Sequence, residues 1–140
     1  MPAAEARILA INPGSTSTKF AVFERLTPVL VKNVRHEPEE LEPFRGRPIL
    51  DQSDFRTVQI KAALEAAGQD LGTMSAVVGR GGLLRPLASG TYLVTDTMLE
   101  ELRRAERGEH ASNLGAFLAR RLAARSGARA FVVDPVSVDE

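Results

Sequence analysis

Ile8-Leu9-Ala10-Ile11-Asn12-Pro13-Gly14-Ser15-Thr16-Ser17-Thr18-Lys19-Phe20-Ala21-Val22-Phe23 places two short apolar runs on either side of a polar turn. Ile8 to Ile11 ends at Asn12, Pro13 and Gly14, all strong turn formers, and the chain resumes with Phe20 to Phe23. A break is expected at Thr27-Pro28, after which Val29, Leu30, Val31 and Val34 make a third apolar run. Three short strands joined by brief turns predict an antiparallel meander at the edge of a sheet.

Outward from that meander the period changes. Glu37 to Pro48, with prolines at 38, 43 and 48 among charged residues, reads as a solvated connection, and His36 beside it as a solvated side chain. Ile60, Ala63, Leu64 and Ala67 recur at helical spacing, with Asp51 or Ser53 as the expected cap and Gly68 as the stop. Ala76 to Val78 predicts a buried strand running into Gly79-Arg80-Gly81-Gly82, and Thr91 to Val94 a further short strand. Thr95 or Asp96 opens a helix through Met98, Leu99, Leu102 and Ala105 that Gly108 ends. Ser112 is the expected cap of another, with Leu114, Phe117, Leu118 and Leu122 on one face and Gly127 as its end. Phe131 to Val133 is the last strand, followed by Asp134-Pro135. Three antiparallel strands followed by helix–strand alternation predict an α/β fold, a mixed sheet with helices packed on it.

Composition narrows the class. With 140 residues the chain has the size of one domain, and 44% hydrophobic residues suffice for a core. Eighteen basic residues balance eighteen acidic ones, which argues against a broad nucleic-acid or membrane surface while leaving room for a small anion site. The absence of cysteine removes disulfides, thiolate nucleophiles and Cys-ligated metals. Met1 to Arg7 has no basic start before a long apolar run, so a signal peptide or membrane span is not expected and the cytoplasm is the expected compartment.

The chemistry-bearing residues sit at element ends. In the Asn12–Lys19 loop, Gly14 allows close backbone approach, Ser15, Thr16 and Ser17 add small donors, and Lys19 adds a point charge. Asn12 offers a neutral oxygen suited to a hydrated Mg²⁺. This is not a Walker A loop: no second glycine precedes the lysine, and Phe20 stands where a Ser or Thr is required. A plain polar turn would have a similar composition. Arg80, among glycines after a strand, presents a fork suited to a carboxylate or phosphoryl group, or is simply an exposed turn arginine. His110 lies between a helix stop and a helix start, where it could donate to a phosphoryl oxygen or serve structurally. Asp134, at the end of the last strand, suits a Mg²⁺-water ligand or an orienting carboxylate, and Asp-Pro is also ordinary turn chemistry.

Taken together, Ile11-Asn12-Pro13-Gly14-Ser15-Thr16-Ser17-Thr18-Lys19, Val77-Val78-Gly79-Arg80-Gly81-Gly82-Leu83-Leu84, Gly108-Glu109-His110-Ala111-Ser112-Asn113-Leu114-Gly115 and Val132-Val133-Asp134-Pro135 closely resemble the N-terminal half of butyrate kinases. These are members of the acetokinase family within the sugar kinase, Hsc70 and actin superfamily. The Gly-Arg-Gly-Gly-Leu-Leu and Gly-Glu-His-Ala-Ser-Asn segments resemble butyrate rather than acetate kinases, which carry a His-Asn-Pro-Pro-Asn run at the histidine.

The resemblance implies a ribonuclease-H-like fold in which residues 1–140 are the first of two duplicated domains, with the active site in the cleft between them. It implies reversible phosphoryl transfer from Mg²⁺-ATP to butyrate, giving butyryl phosphate and ADP, by a full-length protein that forms a homodimer or higher oligomer. By the same resemblance Asn12 matches the metal- and phosphate-loop asparagine, and Ser15, Ser17 and Lys19 match phosphate-facing positions. Arg80 corresponds to the arginine that meets carboxylate and phosphoryl, His110 to the histidine that stabilises the phosphoryl in transfer, and Asp134 to the acidic residue that orients metal or arginine. The adenosine pocket, a second histidine and arginine and a metal-binding glutamate are expected from the second domain, so the 140-residue chain alone is expected to be inactive. Leu83 and Leu84 suit a longer acyl chain or a core. Two other readings are an acetate, propionate or branched-chain carboxylate kinase, and a non-catalytic phosphate- or partner-binding module.

Overall fold

The computed structural model describes residues 6–80, 90–104 and 110–133. Strands β1 (Arg7–Pro13), β2 (Ser17–Glu24) and β3 (Thr27–Arg35) form the expected antiparallel meander. After it come a short helix α1 (Pro38–Leu41), the long helix α2 (Ser53–Ala66), strands β4 (Ala76–Arg80) and β5 (Thr91–Leu93), helices α3 (Asp96–Arg104) and α4 (Leu114–Ser126), and strand β6 (Arg129–Val133). The sheet order is β3-β2-β1-β4-β6-β5, with β1, β4 and β6 mutually parallel and β5 antiparallel at the far edge. The mixed α/β sheet is as the sequence pattern predicts.

The core follows from the pleat. Leu9 pairs with Val22 and Ile11 with Phe20, so apolar side chains from adjacent strands meet on one face. Val77 and Val132 extend that layer, and Ile60 and Leu64 of α2 and Leu114, Leu118 and Leu122 of α4 close over it. Each of these leucines is fully buried, contributing about 1.5–3 kcal/mol apiece. Residues one step out of phase, such as Ala10, Asn12, Lys19 and Ala21, lie on the opposite face.

Four local expectations are corrected. The chain reverses at Arg25-Leu26, with Arg25 at φ 58°, and Pro28 belongs to β3, opposite Phe23. Proline is tolerated there because β3 is an edge strand and needs no donor on its outer side. The Glu37–Pro48 connection contains α1, whose residue Glu40 accepts from the Glu37 N–H at 2.9 Å, and a 3₁₀ turn at Glu42–Phe44. Neither Asp51 nor Ser53 caps α2: a 3₁₀ turn at Ile49–Gln52 runs directly into it, and the Ser53 hydroxyl donates back to the Leu50 carbonyl at 2.7 Å. Ser112 does not cap α4 either: a 3₁₀ turn at Ala111–Asn113, itself capped by His110, runs directly into the helix. Elsewhere the ends behave as expected: Thr95 Oγ1 accepts from the Met98 N–H, and Gly68 and Gly127 take positive φ at helix ends. Among the described residues no helix is long and apolar enough to cross a membrane.

Candidate functional site

The polar loop between β1 and β2 is shorter than its sequence. Asn12–Lys19 and Pro13–Thr18 are still paired, so only Gly14, Ser15 and Thr16 lie between the strands, closed by a Gly14 N–H to Ser17 carbonyl bond of 2.7 Å. What holds it is Arg56, a residue of α2 that the sequence reading passed over. Its side chain is fully buried. Nη1 donates to the carbonyls of Gly14 (2.6 Å) and Ser17 (3.1 Å) and to Thr18 Oγ1 (3.1 Å). Nη2 donates to the Ser15 carbonyl at 3.1 Å, and Nε and Nη2 both donate to Gln52 Oε1, at 3.0 and 2.8 Å. Burial lowers the Arg56 pKa to about 10, which leaves it charged at neutral pH.

That arrangement orients the loop. In a trans peptide the C=O and the following N–H point opposite ways. With the Gly14 and Ser15 carbonyls drawn inward to the guanidinium, the N–H groups of Ser15 and Thr16 are directed to the other side, where both residues are exposed. A signal for Arg56 was present. Gln52, Arg56, Ile60 and Leu64 recur every four residues and all are buried, so a guanidinium occupies the apolar stripe of α2 and must find oxygen partners.

His36 is also corrected. It is buried, 2% exposed, because it continues the inward phase of β3 after Leu30 and Val34. Its Nε2 shares a 2.8 Å hydrogen bond with Thr18 Oγ1, its N–H donates to the Thr16 carbonyl at 2.9 Å, and Phe55 packs edge-on at 5.2 Å. Burial foremost, then the charge of Arg56, lowers its pKa to about 4 against a weaker opposing effect of Glu40, so it is neutral at pH 7. His36 and Arg56 therefore brace the same hydroxyl, Thr18, from two sides.

The predicted site residues divide into two groups. Asn12 and Lys19 are register partners, and Ile11 pairs with Gly79 in the buried layer, so Asn12 and Arg80 follow together on the other face. Lys19, Asn12 and Arg80 thus form a row across β2, β1 and β4 at the carboxyl ends of the parallel strands, all exposed. His110 lies across the loop from that row. It lines an open pocket of about 420 Å³ with Gly14, Ser15, Arg47, Ile49 and Ala111. Asp134 and the Gly81-Gly82-Leu83-Leu84 run lie outside the described residues, as do Ala105, Gly108, Glu109 and Pro135.

Two contacts place His110. Its Nδ1 accepts from the Ser112 N–H at 3.1 Å and lies 2.7 Å from the Ser112 hydroxyl, capping the 3₁₀ turn Ala111–Asn113. An accepting Nδ1 leaves the proton of the neutral ring on Nε2, as a donor. The turn itself is seated by glycines. A Cβ on Gly79 would collide with the Gly115 carbonyl, and one on Gly115 with the Arg80 carbonyl. Gly79 is therefore a buried strand residue that lets α4 touch β4 backbone to backbone, and β4 continues through it to Arg80, past the expected end at Val78.

No family model matches the chain. Over 133 residues it is 50% identical to a probable butyrate kinase of Listeria innocua, covering 95% of this chain and 37% of that protein. The chain is homologous to a stretch of the butyrate kinases. A probable butyrate kinase of Listeria monocytogenes is 49% identical over the same share, so the chain spans a little over a third of the length of these butyrate kinase relatives. Among solved structures, the fold is similar to acetate kinase of Porphyromonas gingivalis (TM-score 0.56, 14% identity, 91% of this chain and 37% of that one). It is also similar to a propionate kinase of Francisella tularensis (TM-score 0.53, 15% identity, 91% of this chain and 36% of that one). At such identities the likeness concerns the fold, which is the acetokinase-type, ribonuclease-H-like sheet the motif resemblance implied.

Proposed function

We propose that this chain forms the phosphate- and acyl-side wall of a carboxylate kinase that transfers the γ-phosphoryl of ATP to butyrate, giving butyryl phosphate and ADP. The supporting observation is the Gly14–Ser17 loop, held carbonyl-inward over Arg56 and flanked by Lys19. In this reading residues 1–140 are the first ribonuclease-H-like domain, and the adenosine pocket comes from a second. The full-length protein acts in the cytoplasm as a homodimer or higher oligomer.

The transfer brings two anions together, so catalysis consists of positioning and charge neutralisation. A butyrate carboxylate oxygen attacks the γ-phosphorus. The bond from that phosphorus to the β–γ bridging oxygen breaks, and ADP departs with the electron pair. The N–H groups of Ser15 and Thr16 and the hydroxyls of Ser15, Thr16 and Ser17 hold phosphate oxygens. Lys19 and Arg80 counter charge on the migrating group, and an arginine in that role supplies about 10³- to 10⁵-fold. His110 donates from Nε2 to an equatorial oxygen.

Mg²⁺ fits only as a guest of the nucleotide. The described residues contain no cluster of three or more His, Cys, Asp or Glu side chains, whereas Asn12 offers one neutral oxygen beside Lys19. Magnesium keeps most of its waters and needs few protein ligands when phosphates supply the rest. Asn12 would hold it, with Asp134 as the orienting carboxylate, and the ion would neutralise phosphate charge.

The test is a chimera in which this chain replaces the 133 matching residues of the Listeria innocua relative. It should form butyryl phosphate from ATP and butyrate, while the chain alone should not turn over. Lys19→Ala in the chimera should lower kcat about 10²-fold or more with a smaller change in butyrate KM. A folded chimera without activity, or one whose Lys19→Ala variant keeps the parental kcat, sinks the reading.

A further inference from the structure

Arg56 makes six hydrogen bonds, and every one ends on an uncharged oxygen. Among the described residues it takes part in no ion pair, unlike Arg7, Arg45, Arg47 and Arg121, each of which meets a carboxylate. The titratable ring nearest to it, His36, is neutral. A buried ion ordinarily requires an opposite charge, since its desolvation costs several kcal/mol even after relaxation. A structural bolt for three carbonyls would not need to be a cation; an amide or a water could do the same work at lower cost.

We infer that Arg56 is the buried counter-charge for the anion that binds outside the Gly14–Ser17 loop, a positioning residue that sets both the direction of the loop N–H groups and the affinity for phosphate. This rests on the reading that the loop takes a phosphoryl group. The charge acts through one layer of backbone. Its guanidinium pulls the Gly14 and Ser15 carbonyls toward itself, which aligns those two peptide dipoles with their positive ends outward, and its bond to the Ser17 carbonyl closes the base of the loop. The same positive charge attracts the ligand across a layer thin enough, and dry enough, for the attraction to count. Gln52 fixes the plane of the fork by accepting from Nε and Nη2 together. A lysine could supply the charge, but its three donors sit on one nitrogen and cannot span the loop carbonyls, Thr18 and Gln52 as the fork of Nε, Nη1 and Nη2 does.

The experiment follows thermal unfolding of the chain against inorganic phosphate for native protein, Arg56→Lys and Arg56→Gln, and reads the phosphate-induced increment rather than the midpoint itself. A purely structural role lowers the midpoint equally at every phosphate concentration. The inference requires a rise for native chain, with apparent phosphate affinity about ten- to a hundredfold weaker in Arg56→Gln and partly rescued in Arg56→Lys. An increment in Arg56→Gln equal to native, or no phosphate effect on native chain at any concentration, overturns it. Should Arg56→Gln fail to fold, Gln52→Leu, which keeps the charge but frees the fork, decides: phosphate affinity several-fold weaker supports the inference and unchanged affinity refutes it. The chimera separates the two proposals. Phosphate binding that depends on Arg56 in a chimera without kinase activity leaves the inference standing and sinks the kinase reading. An active chimera in which Arg56→Gln leaves the ATP KM and kcat unchanged does the reverse.

Discussion

The Gly14–Ser17 loop and the His110–Asn113 turn border the same pocket but are secured by opposite means. The loop is held from behind, by a guanidinium some forty residues away in sequence and by a buried histidine on a third element. The turn is held locally, by its own His110 cap, and seated by a contact between two glycines. The loop's geometry is thus a tertiary property, open to change from remote positions, while the turn's is a secondary-structure property whose placement depends on the space between β4 and α4. Substitutions that reach one support and not the other should separate them.

The largest effect is expected at the glycine contact. In Gly115→Ala the new methyl meets the Arg80 carbonyl, which is backbone and cannot swing aside. Overpacking of this kind should cost about 3 kcal/mol, the upper end of the usual range, read as a lowered denaturation midpoint with unchanged m. Because α4 must retreat from β4, His110 should move away from the loop, and phosphate affinity should fall along with stability. A variant as stable as the native chain would show that the two elements do not meet as described.

A smaller effect distinguishes the loop's support, and it depends on pH. His36 titrates near 4 in the folded chain against an ordinary 6.5. Above pH 6.5 both folded and unfolded chains carry it neutral, and its contribution is complete. Below that, the unfolded chain takes up a proton that the folded chain refuses, so stability declines as pH falls from 6.5 toward 4, by about 2 kcal/mol at pH 5. The stability difference between native chain and His36→Gln, measured by urea unfolding from pH 7 to 5, should shrink by that amount. A difference that stays constant with pH would mean that His36 is accessible to protons after all.

These supports also mark what sequence could and could not convey. The meander was legible because β1 and β2 alternate cleanly around Asn12-Pro13-Gly14, and α4 because Leu114, Leu118 and Leu122 share a stripe. The Lys19–Asn12–Arg80 row was not, since it depends on β4 pairing with β1 in a register that sets Gly79 opposite Ile11, a contact between residues 68 positions apart. Arg56 and His36 escaped for one reason: a polar side chain in an inward phase reads as solvated until its partners are known, and those partners are loop carbonyls and a threonine of β2, distant in sequence from both. The expected end of β4 at Val78 was short for a related reason: Gly79 continues the strand because α4 packs directly on its backbone, a contact that sequence does not display.

The smallest change in stability is expected where the chemistry is sharpest. His110 has two separable duties: Nδ1 caps the turn by accepting from Ser112, and the proton thereby assigned to Nε2 points the ring's donor elsewhere. Asparagine is a good cap acceptor and reproduces the first duty at close to no cost, whereas alanine loses it at about 1 kcal/mol. Neither supplies a donor at the position of Nε2. In the chimera His110→Asn should therefore keep the native unfolding midpoint while kcat falls about 10²-fold, and His110→Ala should show the same kcat with a lower midpoint. If His110→Asn retained full turnover, the imidazole would be a cap and nothing more, and stabilisation of the migrating phosphoryl would rest with Lys19 and Arg80 on the far side of the loop.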